Sequence, residues 1–228
     1  MSRPLKRIAV VDDDDEAAMT LIHTLEDADL TPFRVAPLDS IELLVSEILK
    51  NSDAAVCDHR LRYGGFSDVS GAELAARLIQ EKHPTILVTQ YLDQEADVSI
   101  RKYRSGLPVV LRRDEADEPS ELRSAFARCL VELNSGPIKD RKPQRTLIRV
   151  LDVVDLGGET VIDAVIHGWN SKDSVRFPAS LIPSPLLANV ERGTALSVVT
   201  NIRAEEKVDL YFEDFQIAEE PDQHDGLG

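Results

Sequence analysis

Ile8-Ala9-Val10-Val11-Asp12-Asp13-Asp14 is a short apolar run that ends in acids, and Ala54-Ala55-Val56-Cys57-Asp58 repeats the pattern. A continuous apolar run of this length marks a strand buried on both faces, as in a parallel sheet. Two such strands lying side by side and parallel bring their terminal carboxylates to the carboxyl edge of the sheet, where open α/β folds build their sites. Grouped carboxylates raise one another's pKa unless a cation neutralises them. The pattern predicts an acidic pocket suited to a hard, oxygen-seeking cation and to a phosphoryl group.

Working outward, apolar runs at Pro32 to Ala36, Ile86 to Thr89 and Val109 to Leu111 supply three more strands. Helical spacing fills the gaps between them. Ala17, Leu21, Leu25 and Ala28 share one face, as do Ile41, Leu44, Val45 and Ile48, and Leu74, Leu78 and Ile79 follow Gly71. Leu122, Ala125, Phe126, Leu130 and Leu133 make an amphipathic last helix that starts near Ser120, after Pro119. Strictly alternating strands and helices predict an α/β fold with a five-stranded, doubly wound parallel sheet.

Residues 1–134 resemble the receiver domain of two-component response regulators, a flavodoxin-like fold. The resemblance rests on Lys6 to Val11 with the acids after it, on Asp58, on Thr89 closing Thr85-Ile86-Leu87-Val88-Thr89, and on Pro108-Val109-Val110-Leu111-Arg112-Arg113. It implies that Asp58 accepts a phosphoryl group from a histidine kinase. It further implies that Mg2+ is held by Asp13, by Asp12 or Asp14, by Asp58 and by the backbone carbonyl of Arg60. Thr89 follows the phosphoryl group, and Arg112 or Arg113 stands where the family has a lysine. No turnover of a separate substrate is implied, only self-phosphotransfer and slow autodephosphorylation. The chemistry is consistent with the residues themselves: a carboxylate nucleophile meets an anionic donor only when a cation lies between them.

Three departures qualify the match. The stretch His59 to Ser70, with Tyr63-Gly64-Gly65-Phe66, is longer than most receivers carry and reads as a lid, a docking surface or a plain insertion. An arginine replaces the lysine, and its planar fork is no conservative exchange at a tight site. Gln90 stands where the family prefers a very small residue, and Val109 or Val110 where many receivers carry a rotating aromatic, with Tyr91 reading as its replacement or as an ordinary half-buried tyrosine. Two functions stay open: a working acceptor with an altered readout, or a degenerate receiver serving as an adaptor.

Residues 135–144 form a linker in which Gly136, Pro137 and Pro143 interrupt any helix. From Arg145 the period becomes strand-like. Leu147 to Val154, Thr160 to Trp169, Ser174 to Phe177, Ala195 to Arg203 and Val208 to Ile217 read as five strands, with Asp155-Leu156-Gly157-Gly158-Glu159 as a hairpin and a helical stretch at Leu186 to Glu191. Residues 145–218 are expected to form a small all-β barrel of the OB or SH3-like kind. Residues 219–228 read as an acidic disordered tail. His167, Trp169 and Asn170 cluster at a strand end and read as packing. Arg141 and Arg145 have the spacing of cyclic-dinucleotide-binding PilZ barrels, but the Asp/Asn-x-Ser-x-x-Gly element that should follow is missing.

Charge decides between the outputs of such a barrel. Residues 145–217 carry seven Lys or Arg against eleven Asp or Glu, and the whole chain has a formal charge of -15. Phosphate-dominated nucleic-acid binding needs the opposite sign, so the expected partner is an effector protein. A haloacid-dehalogenase-type phosphatase would need Asp-x-Asp-x-Thr after the first strand, and Glu16 stands in the threonine's place. No stretch is long and apolar enough to span a membrane, and Lys6 and Arg7 lead straight into a strand without a cleavable signal. Cys57 and Cys129, on a core strand and helix, read as reduced thiols, which points to the cytoplasm.

Overall fold

Val11 lies opposite Cys57 and Ile8 opposite Ala54 in a parallel ladder, so the two acid-tipped runs are neighbours. The structure is a computed structural model that describes residues 5–61, 65–66 and 70–218. It divides into two units, Met1–Ile138 and Lys139–Gly228.

In the first unit β1 (Arg7–Val11), β2 (Thr31–Arg34), β3 (Ala54–Asp58), β4 (Thr85–Thr89) and β5 (Val110–Arg112) form a sheet in the order β2-β1-β3-β4-β5. Every pairing is parallel. This is the flavodoxin-like strand order, whose switch point lies between β1 and β3. All five residues of β3 and of β4 are buried, as their unbroken apolar runs require. Helices α1 (Asp15–Asp27), α2 (Ile41–Asn51), α3 (Gly71–Gln80), α4 (Leu92–Glu95), α5 (Arg113–Ala116) and α6 (Pro119–Ser135) occupy the connections. A π turn, Ala96–Ile100, continues α4. Ile8, Val10, Val56, Ile86 and Val88 pack with Leu21, Leu25, Leu122 and Phe126 into one core.

Each helix start has a local cause. Asp14, Ser40 and Ser70 cap α1, α2 and α3, each accepting from a main-chain N–H three residues on. Gly71, the first residue of α3, is required by crowding, because a Cβ there would lie 1.7 Å from the carbonyl oxygen of Asp58. Its N–H donates to His59 O at 2.9 Å, so α3 begins against the main chain that carries Asp58.

The second unit is a five-stranded antiparallel sheet, β6 (Gln144–Leu156), β7 (Glu159–Ile166), β8 (Asn170–Pro178), β9 (Ala195–Thr200) and β10 (Phe212–Ile217), in the order β10-β9-β6-β7-β8. Three hairpin-linked strands with a fourth returning beside the first make a Greek key, extended here by β10. Gly157 (φ 63°) and Gly158 (φ 90°) both take the left-handed conformation that a two-residue hairpin turn demands. Phe177 from edge strand β8 meets Phe212 and Phe215 from edge strand β10, at centroid distances of 4.7 and 5.6 Å. The sheet therefore curls until its two edges touch through side chains. No ladder joins β8 to β10 among the described residues, so the expected barrel is a curled sheet without a hydrogen-bonded seam.

Several expected boundaries need correction. The strand expected from Val208 begins at Phe212, because Lys207–Asp209 forms a 3-10 turn and the Asn201 side chain ties the Asp209 carbonyl and the Tyr211 N–H together. The helix expected over Leu186 to Glu191 is α7 (Ser184–Leu187), started by proline in its first turn. The strand expected at Ser174 begins at Asn170. Within residues 135–144, α6 runs on to Ser135, Lys139–Arg141 forms a 3-10 turn, and buried Arg141 stacks on the Tyr211 ring. The acidic tail, Tyr63 and Gly64 lie outside the described residues. No described helix is long and apolar enough to cross a membrane.

Gly71→Ala is expected to destabilise the protein by about 2–3 kcal/mol, despite alanine's better helix propensity, because the methyl group displaces the Asp58 main chain. Urea unfolding of the two proteins measures this. Equal stability would show that α3 starts elsewhere.

Candidate functional site

The register of β1 and β3 makes Asp12 and Asp58 neighbours, since each follows or closes a strand whose partner residues are paired. Asp12 is 1% exposed and Asp58 8%. One carboxylate oxygen from each of Asp12, Asp13 and Asp58 lies within 4.8 Å of the others, a set of hard oxygen donors. Asp14, the alternative ligand, is outside this trio: its Oδ1 accepts from Ala17 N at 2.9 Å as the cap of α1. The sequence left capping and ligation open for this run, and the helix takes Asp14.

Arg113 settles the other open choice. Its Nη2 donates to Asp12 Oδ2 at 2.8 Å and to Asp58 Oδ1 at 2.6 Å. Arg112 turns the other way and forms a two-pronged pair with Asp93, with both distances 2.8 Å. The local cause is that β5 ends at Arg112 and Arg113 opens α5, while Glu115 accepts from Arg112 N at 2.7 Å and fixes the turn.

The remaining oxygens are held by main chain. Asp12 Oδ1 accepts from Asp14 N at 3.0 Å, and Asp58 Oδ2 from Arg60 N at 2.7 Å. Thr89 is buried at the end of β4, with its hydroxyl accepting from Tyr91 N at 3.2 Å. These groups line a cavity of about 510 Å³ together with Gln90 and Arg60. Arg60, whose carbonyl was expected as a ligand, is at this cavity, and its guanidinium lies 4.0 Å from the centre of the Tyr91 ring.

That stack was not foreseen, nor was the hydrogen bond between His59 Nε2 and Ser99 Oγ at 2.8 Å, which ties the residue after Asp58 to the π turn. Both are contacts between distant loops and leave no mark in local periodicity. In the second unit, Trp169 donates from Nε1 to Ala204 O at 2.8 Å and packs against the core, as its expected packing role requires.

Burial, reinforced by Asp12, raises the Asp58 pKa from 3.8 to about 6, while Arg113 and the Arg60 N–H pull it down. Burial disfavours charge on Arg113 too, but its bonds to Asp12 and Asp58 outweigh this and raise its pKa. Cys57, beside Asp58, is buried and its thiol pKa is pushed up, so it is an inert core residue.

No protein-family model matches the chain, and no curated protein matches it in sequence. Solved structures do. A putative response regulator from Chloroflexus aurantiacus J-10-fl is 28% identical and covers 57% of this chain and 99% of its own, with a TM-score of 0.44. SdrG from Sphingomonas melonis Fr1 is 26% identical and covers 56% of this chain and 98% of its own, with a TM-score of 0.41. A response regulator receiver domain protein from Clostridium thermocellum is 16% identical over the same 57%, with a TM-score of 0.44. Each of these structures is similar to a little over half of this chain.

Asp58 makes stability depend on pH. An acid whose folded pKa is raised binds more protons folded than unfolded, so the contribution of Asp58 to stability is full below pH 3.8 and is lost as pH rises through about 6. The gap is worth at most about 3 kcal/mol. In metal-free buffer at pH 7.5, Asp58→Asn should be more stable than wild type by about 1–3 kcal/mol, and the advantage should vanish towards pH 4. A difference that does not change with pH in urea unfolding would refute the assignment.

Proposed function

We propose that the first unit is a phosphoryl-accepting switch, and that Asp58 takes the group from the phosphohistidine of a histidine kinase. The observation that carries this is the meeting of Asp12, Asp13 and Asp58 at one sheet edge, with Arg113 on two of them and Thr89 alongside. Asp58 attacks phosphorus through a carboxylate oxygen, a new oxygen–phosphorus bond forms, and the bond to the donor nitrogen breaks, with the imidazole keeping the electron pair. Asp12, Asp13 and Asp58 offer the oxygens that would hold Mg2+, with the Arg60 carbonyl as a further candidate. When bound, that ion supplies positive charge between the nucleophile and the anionic donor. Arg113 gives the phosphoryl oxygens guanidinium donors, and the Thr89 hydroxyl, which accepts from Tyr91 N, would turn towards them.

The second unit carries the output as a protein-binding surface. Its acidic balance disfavours nucleic acid, and Leu147, Leu151 and Ile217 stand exposed on it. One observation favours a second reading, a docking adaptor that is never phosphorylated. Arg113 already contacts both Asp12 and Asp58 and offsets one of their charges, so part of a cation's place is taken.

Incubation of the full chain with a phosphorylated histidine kinase, or with acetyl phosphate, and Mg2+ should add one phosphoryl group. EDTA or Asp58→Asn should abolish it. Labelling that survives Asp58→Asn would place the acceptor elsewhere, and no labelling of wild type with any donor would leave the adaptor.

A further inference from the structure

Every carboxylate oxygen of Asp12 and Asp58 already receives a donor. Two are held by main-chain N–H groups of residues only two positions on, Asp14 N on Asp12 Oδ1 and Arg60 N on Asp58 Oδ2. The other two share a single nitrogen, Nη2 of Arg113, at 2.8 and 2.6 Å. The main-chain donors are fixed by the turns they close. The guanidinium is at the end of a flexible side chain and is the one donor that can leave.

A small divalent cation sits about 2.0–2.1 Å from a carboxylate oxygen. A cation on Asp12 Oδ2 or Asp58 Oδ1 would therefore lie within about 5 Å of Arg113 Nη2 if the arginine stayed, two like charges in a largely buried pocket. We infer that, before any phosphoryl group is bound, Arg113 is an internal counter-cation with two positions: inward on Asp12 and Asp58, and outward when a divalent cation takes those oxygens. The inference rests on the metal site proposed above and goes beyond it, because it makes Arg113 the residue that sets the cation affinity.

The fold supplies the outward position. Arg113 is the first residue of α5, and its carbonyl accepts from Asp117 N at 3.2 Å, so Asp117 stands one helical turn along on the same face. Both residues line the main cavity and also a second, shallower one beside it, shared with Gln90, Arg112 and Asp114. Arg113 can thus exchange Asp12 and Asp58 for Asp117 by side-chain rotation. Its position reports whether the pocket is loaded, which provides a two-position element where Val109 and Val110 offer none.

The test is a Mg2+ titration of the full chain followed by amide shifts at Asp13, Asp58 and Thr89, with Arg113→Ala and the less disruptive Arg113→Gln beside wild type. Both variants should bind Mg2+ more tightly by on the order of tenfold, since a competing charge is gone. In wild type the Arg113 Nε–H signal should shift at saturation. Wild type and variants binding Mg2+ equally, or an unmoved Nε–H signal at saturation, would overturn the two-position role and leave the metal site standing. Failure of all three folded proteins to bind Mg2+ would overturn both.

Discussion

Two carboxylates held side by side by strand register cannot both stay charged in a buried place unless positive charge joins them. The ladder that sets Val11 against Cys57 imposes this on Asp12 and Asp58, and the packing of ten buried strand residues in β3 and β4 leaves the main chain no freedom to separate them. The site is organised around that constraint. Arg113 supplies the charge, Asp14 and Arg60 supply N–H groups, and Gly71 lets α3 approach closely enough to fix the turn behind Asp58.

The same constraint gives the site its chemistry. A carboxylate whose pKa stays near 6 with Arg113 already on it is mostly ionised at neutral pH, at a cost in stability that a bound cation would return. Around it the connections run outward through specific contacts. Thr89 is tied to Tyr91, Tyr91 to Arg60, and His59 to Ser99 in the π turn. These contacts link the main chain around Asp58 to Tyr91, which precedes α4, and to the π turn that follows it.

Much of this was legible in the sequence. Buried parallel strands write themselves as unbroken apolar runs, so β1, β3 and β4 were readable almost to the residue, and the acids at their ends followed. What could not be read was side-chain direction at a strand end. Arg112 and Arg113 are equivalent in sequence, and only the turn into α5 sends one to Asp93 and the other to Asp58. The capping role of Asp14 was one of several open to the five acids from Asp12 to Glu16. In the second unit, the hairpin at Gly157-Gly158 was explicit, whereas the late start of β10 depends on Asn201, ten residues before Tyr211, and leaves no periodic trace. The curl that brings Phe177 to Phe212 is tertiary, and alternation alone cannot distinguish it from a sealed barrel.

The account stands on Asp58 as the phosphoryl acceptor, and chemical trapping tests this most directly. Wild-type protein, exposed to acetyl phosphate and Mg2+ and then reduced with borohydride, should carry homoserine at residue 58 in place of aspartate when its peptides are sequenced by mass spectrometry. Homoserine at 12 or 13 in place of 58, or unreduced Asp58 in a sample shown to be phosphorylated, would contradict it.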